Sequence, residues 1–134
     1  MKSCTLFLSL LMLALFGCSK PTYSPAELSQ RLATADRAVV TNSLPPFGSV
    51  VTGEEVSRLA KAIASATQDK SPAGAMFNWD VKFYSGTNFL CLIHMQDRGF
   101  LLEDEEYSDD TGVLKAFYEK LLREQKLEGK AEVR

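Results

Sequence analysis

The sequence predicts an α+β domain, with a small antiparallel sheet and three helices packed on one face in the order α-β-α-β-β-β-α. The sheet is expected to hold a three-strand meander plus one short strand. Apolar residues recur at helical spacing in three separate stretches. From Met76 the period changes to two, the mark of a half-buried strand. The connections that follow are of hairpin length, which argues against a parallel sheet. With 134 residues, 46% hydrophobic and 24% charged, the chain has the size and balance of one globular domain.

The first helix is predicted over 25–35. Ser24 can cap it, Pro25 suits its first turn and Glu27 completes a capping box, while Leu28, Leu32 and Ala35 share one face. Arg37 to Thr41 reads as a short strand, and the segment from Asn42 to Ser49, with Pro45, Pro46 and Gly48, as a loop. Thr52-Gly53-Glu54-Glu55 reads as a second capping box. It opens a helix over 53–67 whose apolar stripe is Val56, Leu59, Ala60, Ile63 and Ala64. Asp69 to Gly74 breaks the chain. Phe77, Trp79, Val81 and Phe83 then alternate with polar neighbours and are assigned to the core.

Ser85 to Asn88 has hairpin chemistry, and Phe89 to Met95, apolar on nearly both faces, belongs at the sheet centre. Asp97-Arg98-Gly99 turns the chain into a third meander strand, Phe100 to Leu102. Ser108 to Thr111 opens a last helix with the stripe Val113, Leu114, Phe117, Leu121 and Leu122, and 128–134 should fray.

The front of the chain is different. Met1-Lys2-Ser3 is a short positive leader before an apolar run from Leu6 to Phe16, interrupted at Ser9. As a helix that run spans only about 16 Å, against the ~30 Å hydrocarbon core of a bilayer, so it matches the apolar region of a signal peptide better than a spanning helix. It ends at Leu15-Phe16-Gly17-Cys18, which resembles the lipobox of bacterial lipoproteins: an aliphatic residue at −3, a small one at −1, and cysteine at +1. Phe16 stands at −2, where the family usually has a small or β-branched residue.

The resemblance implies cleavage between Gly17 and Cys18 and attachment of a diacylglyceryl group to the Cys18 thiol. Membrane lipid would then be a partner through Cys18. Ser19, where aspartate would favour inner-membrane retention, points to the periplasmic face of the outer membrane in an organism that has one. An alternative cut after Ser19 would release a soluble protein. On the lipoprotein reading 1–17 is the signal peptide, 18–23 a lipidated tether of about 20 Å at ~3.4 Å per residue, and 24–127 the domain. Cys4 leaves with the signal and Cys18 is acylated. That leaves Cys91 as the lone thiol, expected to be a buried small hydrophobe.

The net charge of −2 provides no basic field for nucleic acid. No Gly-x-Ser-x-Gly, His-Glu-x-x-His or phosphate-cradling glycine loop occurs, and Ser57 and Lys61 are four apart rather than three. His94, the single histidine, falls on the strand face opposite Cys91 and Ile93, so Cys91 and His94 cannot share a metal. The acidic run from Glu103 to Asp110 fails the EF-hand template, with Asp109 where glycine is required and Lys115 where a bidentate glutamate is required.

Glu105, Glu106, Asp109 and Tyr107 in that run are candidate binding residues, either for a basic partner or, as an alternative, for a small ligand or calcium. Tyr84, Tyr107 and Tyr118 are candidates for a wet contact surface, and Tyr23 for the lipid boundary. The expectation is a non-catalytic envelope module that binds a protein partner and needs neither metal nor cofactor. A small hydrolase using His94 or a carboxylate is the remaining alternative.

Overall fold

The computed structural model describes residues 23–43, 46–69 and 79–131. In chain order the elements are α1 (Pro25–Leu32), β1 (Arg37–Ser43), β2 (Pro46–Thr52), α2 (Gly53–Ala64), β3 (Thr67–Gln68), β4 (Trp79–Ser85), β5 (Asn88–Met95), β6 (Gly99–Leu102), β7 (Glu105–Ser108) and α3 (Val113–Ala131). All seven strands form one antiparallel sheet in the order β2-β1-β4-β5-β6-β7-β3.

The α+β class holds, with three helices among the described residues, but the sheet is larger than a meander plus one strand. Three strands lie where none was expected. The segment from Asn42 to Ser49, expected as a loop from its Pro and Gly, instead supplies the end of β1 and the start of the edge strand β2; proline is tolerated there because Pro46 is the first residue of β2. The acidic run contains β7, and β3 adds two residues beyond it. Phe77 lies outside the described residues.

One face of the sheet is buried. Ala38, Val40, Val81, Phe83, Ile93, Met95 and Phe100 are all at most 1% exposed, and they share a cluster with Leu28, Leu32, Val56, Leu59, Ile63, Leu114 and Leu121 from the helices. Each large side chain so buried contributes about 1.5–3 kcal/mol. Trp79 sits under this layer with Phe47 edge-on to it, ring centroids 5.4 Å apart.

The helix ends show which local signals were used. At α1, Ser24 Oγ accepts from the Glu27 amide and Glu27 Oε2 accepts from the Ser24 amide, so the predicted capping box forms. The backbone amide of Ser24, then its hydroxyl, hold the Glu27 carboxyl below its ordinary pKa. The second box does not form. The Thr52 side chain makes no capping bond, and Glu55 instead accepts from Lys120 Nζ of α3 at 2.7 Å. That ion pair is about 40% exposed on both sides, so it registers α2 against α3 at a gain of about 0–1 kcal/mol. α1 and α2 stop at Leu32 and Ala64, three residues short of expectation, while α3 continues to Ala131, through residues expected to fray.

Gly99 opens β6 where the chain leaves no room for a side chain. A Cβ there would collide with the Tyr107 carbonyl oxygen of β7. Because that oxygen belongs to the backbone of a paired strand, it cannot swing aside. Gly99→Ala should therefore destabilise the domain by about 1–3 kcal/mol, read as a lower urea midpoint at unchanged m.

Candidate functional site

The second face of the sheet carries no described helix. Its residues follow from the strand pairings. One row runs Val50, Val39, Lys82, Leu92; a second runs Thr41, Asp80, His94, Leu101, Glu106 across five strands; a third runs Arg37, Tyr84, Phe89. These side chains are half-buried or exposed, with Val50 61% and Phe89 56% exposed, in contrast to the helix-covered face.

In the second of these rows the ring Nδ1–H of His94 donates to Asp80 Oδ1 at 2.6 Å, since an ionised carboxylate can only accept. Both side chains are between 40% and 50% exposed. The sequence correctly put His94 opposite Cys91 and Ile93, but the Asp80 partnership depends on register and was not legible.

A bulge decides the third row. Phe83 pairs with Cys91 but Tyr84 pairs with Phe89, so Leu90 is the extra residue in β5. By simple alternation Phe89 would share the core face with Cys91, Ile93 and Met95. The bulge turns it out beside Tyr84, with ring centroids 5.9 Å apart. The Arg37 guanidinium lies 4.6 Å from the Tyr84 ring centroid, and Arg37 Nη2 donates to the Gly86 carbonyl of the β4–β5 turn. Nearby, the Arg31 guanidinium lies 4.4 Å from the Tyr23 ring centroid and donates to the Tyr23 hydroxyl at 3.0 Å and to the Leu90 carbonyl at 3.5 Å. Tyr23 and Phe89 line one shallow depression with Leu92, Leu101 and the Glu103–Asp104 turn.

The acidic run is divided among several tasks. Glu103 and Asp104, both at positive φ, make the tight β6–β7 turn. Glu105 and Tyr107 project to the helix side of β7, and Glu106 to the open side. Glu105 accepts from Gln68 of β3, and Tyr107 stacks on Phe100 at 5.2 Å. Burial, then the charges of Glu105 and Glu103, push the Tyr107 hydroxyl above its ordinary pKa. Asp109 is buried and caps α3: Oδ2 accepts from the Leu114 amide at 2.9 Å and Oδ1 from the Thr111 amide at 3.0 Å and the Thr111 hydroxyl. A cation at Asp109 would have to displace those three bonds.

Among the described residues no group of three or more His, Cys, Asp or Glu side chains is arranged to hold a metal. Tyr84, Tyr107 and Tyr118 are all half-buried rather than fully exposed. Gly17 and Cys18 lie outside the described residues. Comparison with protein-family models, with curated proteins and with solved structures returns no match.

Cys91 lies 3% exposed on the core face of β5, and burial pushes its thiol up to about 12. With an ordinary value of 9.0, the thiolate fraction at neutral pH is about 1000-fold lower than in the unfolded chain. Aromatic disulfide reagents at pH 8 should leave Cys91 untouched in the native protein and titrate it at once in urea. The same shift favours the folded state while the thiol stays protonated in both states, so stability should fall as pH rises from 9 towards 12. Asp109→Ala should cost about 1–2 kcal/mol through the lost cap, seen as a reduced thermal midpoint, with Asp109→Asn recovering part of it.

Proposed function

We propose that this chain is a lipid-anchored module of a bacterial cell envelope, held by Cys18 and presenting the open face of its sheet to an envelope protein. The observation that carries the anchor is Leu15-Phe16-Gly17-Cys18 at the end of an apolar run too short to span a bilayer. Two or three acyl chains, at about 0.8 kcal/mol per buried methylene, hold such a protein on its membrane persistently. Ser19 directs it to the outer membrane where one exists. The module acts without metal, cofactor or covalent chemistry.

Two features support binding as its work. The open face mixes apolar side chains (Val39, Val50, Leu92, Leu101) with Lys82, Asp80 and His94, a mixed composition suited to a reversible contact. Its rows are fixed by backbone pairing, so the surface is preorganised and little ordering entropy is lost on association.

Metabolic labelling with a clickable fatty acid, followed by fractionation, tests the anchor. The wild-type protein should take label and pellet with membranes, and Cys18→Ala should do neither. Identical partitioning of the two without label would overturn the reading.

A further inference from the structure

We infer that the corner of the domain built from Tyr23, Arg31, Arg37, Tyr84 and Phe89 seats in the headgroup layer of the bilayer that Cys18 anchors. The inference deepens the lipoprotein reading and rests on it. Three observations converge on this corner.

The first is reach. Tyr23 follows Cys18 by five positions, which fully extended cover at most about 18 Å. Tyr23 therefore stays about that close to the lipidated sulfur, and its surroundings are held close to the membrane. Tyr23 is tied to α1 and β5 through Arg31, so the entry point is fixed relative to the sheet.

The second is chemistry. Phe89 is more than half exposed at a position where strand alternation would have hidden it, and the bulge at Leu90 is what turns it out. Tyr84 and Tyr23 flank it with amphipathic rings, the residue type enriched where hydrocarbon gives way to water. The third is charge. Each tyrosine ring carries an arginine across its face, and a guanidinium stacked this way keeps in-plane N–H groups for phosphate oxygens. Asp36 is adjacent, but its Oδ2 accepts from the Gly86 amide, while Glu103 and Asp104 mark the far rim of the Tyr23–Phe89 depression. The lipid-facing corner is accordingly bounded towards β6, and Asp97, exposed in the turn at the far end of β5 from Phe89, lies outside it.

The test uses full-length, lipidated protein in vesicles of phosphatidylethanolamine and phosphatidylglycerol, with and without brominated acyl chains. Tryptophan is introduced at one position at a time: Phe89→Trp, Thr87→Trp in the neighbouring turn, and Asp97→Trp at the far end of β5. The native Trp79 is buried and supplies a constant background and a check that each variant is folded. Brominated lipid should quench the added emission at 89 and 87 at least about twofold and leave that at 97 unchanged. Quenching at none of the three, at all three equally, or at 97 alone would overturn the docking while leaving a fatty-acid-labelled Cys18 intact. Absence of label on Cys18 would overturn the anchor as well. If a soluble envelope protein protects 87 and 89 from an aqueous quencher when the brominated lipids do not quench them, the corner is a protein contact and the inference falls.

Discussion

The pairing of β4 with β5 is the constraint on which the rest of the structure depends. In the strand order β2-β1-β4-β5-β6-β7-β3, the β1–β2 hairpin hangs on one side of this pair and the β6–β7 hairpin with β3 on the other. Among the described residues no other ladder joins the two halves. Its register puts Trp79, Val81 and Phe83 opposite Met95, Ile93 and Cys91, all on the face that receives the helices. The same register fixes what the other face displays, since Asp80 meets His94 only because Val81 meets Ile93. A one-residue slip would exchange the two faces, exposing the apolar set and burying Asp80, Lys82 and His94. Core packing and surface chemistry are thus set by a single alignment.

Much of this was legible because it is local. The three helices announce themselves through apolar spacing and through Ser24 and Glu27, whose reciprocal bonds close within one turn. The alternation from Trp79 to Phe83 needs only a two-residue period. What was missed depends on partners distant in sequence. Residues 46–52 contain Pro46 and Gly48, which read as a loop until an edge position makes them acceptable. Glu105 to Ser108 carries the charge of a solvated turn and becomes a strand because β6 offers a register and the Glu103–Asp104 turn takes up positive φ without glycine. The two residues of β3 have no signal of their own.

The site shows the same division. The side of the sheet on which His94 falls follows from parity, but its Asp80 partner lies fourteen residues away and required the pairing. Phe89 is the sharper case, because parity assigns it to the core and one extra residue in β5 reverses the answer. Bulges of this kind re-aim a side chain at modest cost to the ladder, and here the re-aimed ring completes a cluster of aromatics and arginines beside the domain's entry point. The acidic run, the most conspicuous feature of the sequence, is spent on a tight turn, a strand and the cap of α3. A block of charge in a sequence can be architecture.

The path of α2 has one more consequence. The helix leaves β2 at one edge of the sheet, and the chain joins β3 at the other, with helical hydrogen bonding continuing through Ala66. The stretch from Thr52 to Thr67 therefore advances only about 23 Å at ~1.5 Å per helical residue. Seven flat strands would set their outermost axes about 29 Å apart at ~4.8 Å per gap. A strut that short leaves no slack between the two edges, so β2 and β3 cannot move apart unless α2 unwinds.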